Sequence, residues 1–556
     1  MCQESSILFT ERRNCDIMNA LSVCEVTGDM ISLLDTTLRD GAQAEGVTFS
    51  VDDKMRIALA LDQLGVDWIE GGNPGANPKD AAFFQRFKEI APLKTARLVA
   101  FGSTIRPGEQ PEDNENLQAL VDAGVCTVSV FGKASVLHVD EVLRCSREEN
   151  LRMIRESVQY LSQKGLTVLF DAEHFFDGYQ QDSNYALSCL QAAVDGGASC
   201  LILCDTNGSA LPDDVENAVQ CVISRFPGKE VGIHCHNDCG LATACSLAAV
   251  KAGATMVQGT MGGIGERCGN ADLCTLIPLL EKKLGKPCLP EGHLVKLTHT
   301  ARFVAEIMNL SLSSRAPFVG TAAFAHKGGM HIDGVIKNPT TFEQISPESV
   351  GNQRRFLLSD QAGRAGVYAR LSKILPDVER DSPEMSQVIA RLKEKEARGY
   401  TYENAEGSFA LMALDTLGRR PHFFEVQDFH VLCHRPQIVP DISHSAQAYV
   451  KISVNGEEGI NAAEGDGPVN ALDIALRKTL AVFYPALNKM RLKDFKVRVL
   501  DSGGTASTVR VSIESTDGEH FWSTVGVSSN IIQACFKALV DSIDYMLTYH
   551  VPASQE

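Results

Sequence analysis

The chain has 556 residues, of which 44% are hydrophobic and 22% charged, and a formal charge of -18 at pH 7. That length exceeds what one hydrophobic core usually holds, so two or three domains are expected. The acidic balance argues against nucleic acid or an anionic membrane as a general partner, because both need basic patches. A local basic pocket for a small anion stays open.

Residues 1–29 are interrupted by charges at Glu11, Arg12, Arg13 and Asp16, and lack the apolar segment of a signal peptide. They are expected to form a disordered tail. No apolar run approaches the roughly 18 residues of a membrane span. The 17 cysteines are scattered and form no CxxC pair. They read as reduced thiols of a cytoplasmic chain, packed as small hydrophobes.

From residue 30 to about 285, short β-rich runs alternate with amphipathic helical patterns. The strand candidates are Ile31–Asp35, Val66–Glu70, Ala96–Phe101, Cys126–Phe131, Thr167–Asp171, Cys200–Cys204, Val231–His234 and Thr255–Gln258. Helical segments include Val51–Leu64, Arg147–Lys164, Asn184–Gly196, Asp213–Arg225 and Leu241–Lys251. Eight such repeats in about 250 residues predict a (β/α)8 TIM barrel, an α/β fold. A doubly wound sheet would carry a glycine-rich phosphate loop after its first strand, and Asp40-Gly41-Ala42-Gln43 is not one.

After the barrel the rhythm changes. Residues 286–400 read as helical linker and capping subdomains, with a glycine-containing loop at Ala325–His331 and a charged helix at Ser386–Glu396. Residues 401–556 read as an α+β domain. Its expected strands are Ser408–Leu414, His422–Leu432, Ala446–Val454, Phe495–Leu500 and Thr508–Ser515, with helices at Pro468–Phe483 and Asn530–Leu547. The pattern suggests two similar units of strands followed by a helix.

Polar residues cluster at one point of the barrel repeat. Asp40 follows the first strand, Glu173 and His174 the fifth, and Asp205-Thr206-Asn207 the sixth. His234 and His236 close the seventh, and Glu266 to Asn270 follow the eighth. In a barrel these loops meet on one face, where such enzymes place their active sites. Residues two apart on a strand share a face, so His234 and His236 can ligate one metal, with Asp40 adding a carboxylate. That donor set suits zinc, manganese or magnesium. Alternation turns Cys235 away from the histidines. Asn270 is a further oxygen ligand or orders the metal's water shell. Beside a metal, Arg39 suits a fork that grips a 2-oxo acid. Gln43 is a weaker substrate contact.

Asp35-Thr-Thr-Leu-Arg-Asp-Gly41, His234-Cys-His-Asn237 and Gly263-Ile-Gly-Glu-Arg-Cys-Gly-Asn270 together resemble the metal-dependent acyl-transferase and lyase barrels. That family includes the 2-isopropylmalate, homocitrate and citramalate synthases. The resemblance spans the chain after residue 30. The segments Glu70–Asp80, Phe131–Lys133 and Phe170–Tyr179 look most like the citramalate synthase branch. Asn73 stands where that branch is expected to have an aromatic residue, and Phe342 where many relatives have a tyrosine.

The resemblance implies a Claisen condensation of acetyl-CoA with a 2-oxo acid, followed by thioester hydrolysis. Pyruvate as acceptor would give (R)-citramalate, which feeds isoleucine biosynthesis. The alternatives are 2-oxoisovalerate, as in 2-isopropylmalate synthase, and the homocitrate synthase reaction. A carbon–carbon lyase of the hydroxymethylglutaryl-CoA lyase type would share the metal site, but it has no need of the long C-terminal domain. The resemblance also implies a divalent metal, Mn2+ or Mg2+ with Zn2+ as an option, on Asp40, His234, His236 and Asn270. Arg39, Glu173 and His331 would be catalytic, and Gln43 and Thr206 would join Arg39 in binding substrate. His331 looks like a capping residue supplied to a neighbouring subunit's barrel, which implies a homodimer. The C-terminal domain looks regulatory. Its turn Gly465-Asp466-Gly467-Pro468, whose amides can meet a carboxylate, is the candidate feedback site for isoleucine, with leucine second.

Overall fold

The computed structural model describes residues 30–89, 93–357, 364–433, 446–501, 504 and 507–550. The expected disordered tail, residues 1–29, lies outside them, as do residues 502, 503 and 505 of the Asp501–Thr505 loop. The chain divides into two compact units, one of Met1–Phe324 with Ile345–Gln353 and one of Ala325–Gln344 with Arg354–Glu556.

Eight parallel strands close the barrel of the first unit in sequence order, with β1 paired to β8. They are β1 Ser32–Asp35, β2 Trp68–Gly72, β3 Arg97–Ser103, β4 Thr127–Lys133, β5 Thr167–Glu173, β6 Cys200–Asp205, β7 Glu230–Cys235 and β8 Met256–Gly259. All eight expected strands are present, each shifted by at most two residues at either end. The main outer helices are α1 Val51–Leu64, α2 Pro78–Glu89, α3 Glu115–Asp122, α4 Arg147–Gln163, α5 Ser183–Gly196, α6 Pro212–Arg225, α7 Ala242–Ala252 and α8 Leu273–Leu279. Helix α1 starts where Ser50 and Asp53 cap each other reciprocally and stops at left-handed Gly65.

Side-chain alternation sorts the strands into two packed layers. Leu201 and Leu203 of β6 join the large core shared with the helices, whereas Cys200, Ile202 and Cys204 fill the barrel interior with Leu34, Val99, Leu169 and Met256. A helix beyond the eighth repeat, α9 Leu297–Ile307, buries Leu297, Ala301 and Val304 in the large core. The first compact unit thus extends past the eighth repeat, to Phe324.

In the second unit, helices α10 Gly329–Lys337, α11 Arg364–Ile374, α12 Pro383–Ala397 and α13 Glu406–Thr416 precede two antiparallel sheets. The first sheet is β9 Glu425–Cys433, β10 Ala446–Val454 and β11 Glu457–Gly465, followed by α14 Pro468–Leu480. The second is β12 Arg491–Val499, β13 Val509–Thr516 and β14 Phe521–Ser528, followed by α15 Ile531–Tyr549. Each half thus repeats three strands and a helix. Val450, Ile452 and Leu476 of one half share a core with Val511, Ile513 and Leu539 of the other.

One expected strand is a helix. Ser408–Leu414 lies inside α13, with every residue from Gly407 to Leu414 buried. Burial on all sides removes the periodic pattern that separates a short helix from a strand, and Ala, Leu and Met then favour the helix. Strands β11 and β14 were not among the expected elements. In β11, alanine, glycine and acidic residues replace the β-branched ones, and the strand is held by pairing along all of β10.

Ser408 ties α13 to its neighbours, donating to Asp541 at 2.8 Å and accepting the Val525 amide at 2.9 Å. Ser408→Ala leaves both partners short of a bond at a buried site. The expected cost is about 1–3 kcal/mol, to be read from urea unfolding followed by circular dichroism. Among the described residues, no helix is long and apolar enough to cross a membrane.

Candidate active site

The inward phase of the barrel strands builds the site. Gly232 faces inward, since a Cβ there would lie 2.9 Å from Ile202 Cγ1 and 3.5 Å from Met256 Cβ. His234 follows two residues later and is therefore also inward, and His236 continues the same phase beyond the strand end. The same alternation brings Glu70, Asp171 and Gln258 inside, and all three are buried. Together these residues close the floor of a cleft of about 330 Å³, lined by Arg39, Asp40, Gln43, Glu173, Thr206, His234 and His236 among others.

Asp40 Oδ2 lies 3.5 Å from His234 Nε2 and 3.7 Å from His236 Nε2. The two rings are 5.1 Å apart and inclined at 68°. His234 Nδ1 meets Gln258 Oε1 at 2.8 Å, so the amide oxygen accepts the ring proton and leaves the Nε2 lone pair facing Asp40. Gln258 is oriented in turn, its Nε2 donating to Asp171 Oδ1 at 3.2 Å, while Ser129 Oγ donates to Asp171 Oδ2 at 2.9 Å. Burial pushes His234 down to about 3 and lowers His236 as well, so both rings are neutral, as ligation requires. Desolvation raises Asp40, but the charge of Arg39 beside it outweighs that and holds the carboxyl well below the usual range.

Whether these residues fit a cation can be tested on the site's polar atoms. Asp40 Oδ1 and Asn270 Oδ1 are buried and accept no hydrogen bond. Asn270 Nδ2 is already committed to Ile264 O at 3.1 Å, which aims its oxygen elsewhere. Two neutral imidazoles, a carboxylate and an amide oxygen without donors form a set that a divalent cation would satisfy. The residues fit the metal. Gln258→Leu should keep the barrel but free His234 to rotate and change tautomer. Metal affinity is expected to fall about 10–100-fold, measured by competition with a chelating dye.

Arg39 is clamped. Its Nε donates to Glu70 Oε2 at 2.6 Å and its Nη1 to Asp40 Oδ2 at 2.9 Å. The guanidinium lies 4.0 Å over the Phe101 ring. Burial works against its charge, but Glu70, Asp40 and Asp171 together hold it protonated. One guanidinium facing three carboxylates leaves a net negative cluster, and burial accordingly pushes Asp171 up to about 7 and raises Glu70. Asp35 serves the backbone, accepting the Thr37 amide at 2.9 Å and the Thr37 hydroxyl at 3.0 Å.

The remaining expected residues are spread more widely. Gln43 is exposed at the cleft mouth. Thr206 Oγ1 accepts the His174 amide at 2.8 Å, leaving its hydroxyl proton to donate. Glu173 forms an ion pair with Lys133. Cys235 is turned into the outer core. The glycine-rich loop after β8 closes tightly: Gly269 has φ +85°, and a Cβ there would sit 2.0 Å from Gly263 O. His331 belongs to the second unit, where its ring stacks on Phe342 at 4.2 Å. Gly465 ends β11 and Gly467 precedes α14.

Glu70, Asp171 and Gln258 were absent from the expected site residues. Each lies in the inward phase of its strand, and that phase was the available signal.

Sequence comparisons identify the chain's relatives. Residues 30–304 match the HMGL-like family, 318–399 the homocitrate synthase post-HMGL domain-like family, and 403–547 the LeuA allosteric (dimerisation) domain. The (R)-citramalate synthase of Synechocystis sp. is 48% identical over 525 residues, covering 93% of this chain and 96% of the relative. That of Aquifex aeolicus is 48% identical over 520 residues, covering 93% and 98%. That of Geobacter sulfurreducens is 46% identical over 519 residues, again covering 93% and 98%. With these relatives matched over 93% of its length, the chain belongs to the (R)-citramalate synthase family.

Proposed function

We propose that this chain condenses acetyl-CoA with pyruvate and water to give (R)-citramalate and free CoA. The observation that carries the reading is the Asp40, His234 and His236 cluster beside clamped Arg39, in a chain 48% identical over 93% of its length to curated (R)-citramalate synthases. Asp40, His234, His236 and Asn270 would hold a divalent metal, which would supply Lewis acidity toward the keto group of the 2-oxo acid.

The chain's own residues do the rest. Arg39 offers the guanidinium arm that neither Glu70 nor Asp40 occupies, and stabilises oxyanion charge as the carbon–carbon bond forms. Thr206 donates its free hydroxyl proton to the substrate carboxylate, and Gln43 adds an amide at the cleft mouth. Glu173, paired with Lys133, orients the reacting groups. His331 serves proton transfer, work that typically contributes about 10²–10⁴-fold. Phe342 has no hydroxyl to share in that work. The thioester of the condensation product takes up water, releasing CoA and the product carboxylate. Isoleucine acts as feedback effector on the C-terminal domain, which also dimerises the chain. The match of residues 403–547 to an allosteric dimerisation domain supports a regulatory and dimerising role for this domain.

The test is CoA release from acetyl-CoA with pyruvate, 2-oxobutyrate or 2-oxoisovalerate, with the products identified. Pyruvate should give the highest kcat/KM. Chelation should stop turnover and Mn2+ or Mg2+ restore it, and isoleucine should lower the rate. A preference for 2-oxoisovalerate would assign the 2-isopropylmalate reaction instead.

A further inference from the structure

The hairpin between β13 and β14 turns through Asp517-Gly518-Glu519-His520, with Thr516 opposite Phe521. Asp517 Oδ1 accepts the amides of Glu519 at 2.9 Å and His520 at 2.7 Å. Its Oδ2 lies 3.1 Å from His520 Nδ1. Desolvation would raise Asp517, but the two amides and His520 hold it at about 2. His550 closes the last turn of α15. Its ring stacks on His520 with centroids 4.4 Å apart and is backed by Trp522 at 5.3 Å and Tyr545 at 5.6 Å. One donor atom from each of Asp517, His520 and His550 lies within 4.8 Å of the other two. Among the described residues, the only other such cluster is the one at the barrel mouth.

We propose that Asp517, His520 and His550 form a second divalent-metal site, selective for zinc or a similar first-row ion over magnesium. Two imidazoles and one carboxylate are donors that such ions favour, whereas magnesium prefers oxygen and retains its water. The 3.1 Å between Asp517 Oδ2 and His520 Nδ1 is close to the edge of a tetrahedral site with bonds near 2 Å, roughly 3.3 Å. His520 stays beside Asp517, and His550 turns in from its stack to complete the set. A metal on His520 Nδ1 takes the place of the hydrogen bond to Asp517, and the ring proton moves to Nε2. The bound ion clips the hairpin tip to the end of the last helix, stabilising the second unit by linkage.

The test titrates the full-length, chelator-stripped chain with Co2+, following ligand-field absorption and tryptophan emission. Trp522 lies beside the proposed site, while the other tryptophan, Trp68, packs inside the barrel. Two equivalents of Co2+ per chain are expected, one of them quenching Trp522. His520→Ala should bind one equivalent, lose that quench, and condense acetyl-CoA at the wild-type rate in Mg2+. Zn2+ should raise the unfolding midpoint of the wild type by several degrees more than that of this variant. His550→Gln, checked for folding by circular dichroism, should reproduce the loss. A wild-type chain that takes up only one equivalent, or variants that keep both, would overturn the site.

Discussion

His234→Ala lowers the condensation rate by about 10³-fold or more, equivalent to roughly 4 kcal/mol at 1.36 kcal/mol per decade. The variant loses one of the imidazoles that face Asp40, and it leaves Gln258 Oε1 buried without its donor. The second effect costs about 1–3 kcal/mol of stability, small enough for the barrel to persist. Asp40→Asn should fall as far, because it removes the charge while keeping the shape. Bound metal measured by elemental analysis should drop with activity in both variants. Turnover within tenfold of wild type in either would end the assignment of these residues to the metal.

Arg39→Ala is expected to destabilise the barrel by about 3 kcal/mol as well as abolish turnover. Glu70 is fully buried and takes its shortest hydrogen bond from Arg39, so truncation strands a carboxylate among Asp40 and Asp171. The sign of the pH dependence follows. Burial already raises Glu70 in the presence of Arg39, and losing the guanidinium raises it further. A carboxyl with a folded-state pKa above its unfolded one binds protons preferentially when folded, so stability rises as pH falls through that range. The deficit of the variant should therefore be larger at pH 8 than at pH 6 in urea unfolding of chelated protein. Equal deficits at both pH values would mean that Glu70 is not the group left unpaired. Arg39→Lys should not rescue, because a point charge cannot reach Glu70 and Asp40 together.

The barrel was legible because parallel strands such as Val128–Val130 and Leu201–Leu203 are buried on both faces and read as apolar runs between helices with clear caps. The candidate metal cluster was legible because His234 and His236 are two apart and Asp40 falls in the first loop. What was harder to see lay under those residues. Glu70 and Gln258 each sit at the end of an expected strand, where a polar residue looks like the start of a loop. Only the inward phase, set by residues such as Gly232 and Ile202, marks them as interior. In the second unit the periodicity failed in two ways. Helix α13 is buried all round and has no face to show, and β11 has its outer face in solvent and few β-branched residues.

The inward phase of β7 also limits how the length of this protein can vary. A one-residue deletion between Val231 and Ile233 would shift everything beyond it by half a pleat. Cys235 would then face the cleft in place of His234 and Asn237 in place of His236, exchanging two imidazoles for a thiol and an amide. Insertions and deletions are thus tolerable in the loops between repeats but not within this strand. β7 acts as a ruler, and its residue count is as much a determinant of metal preference as the residues themselves.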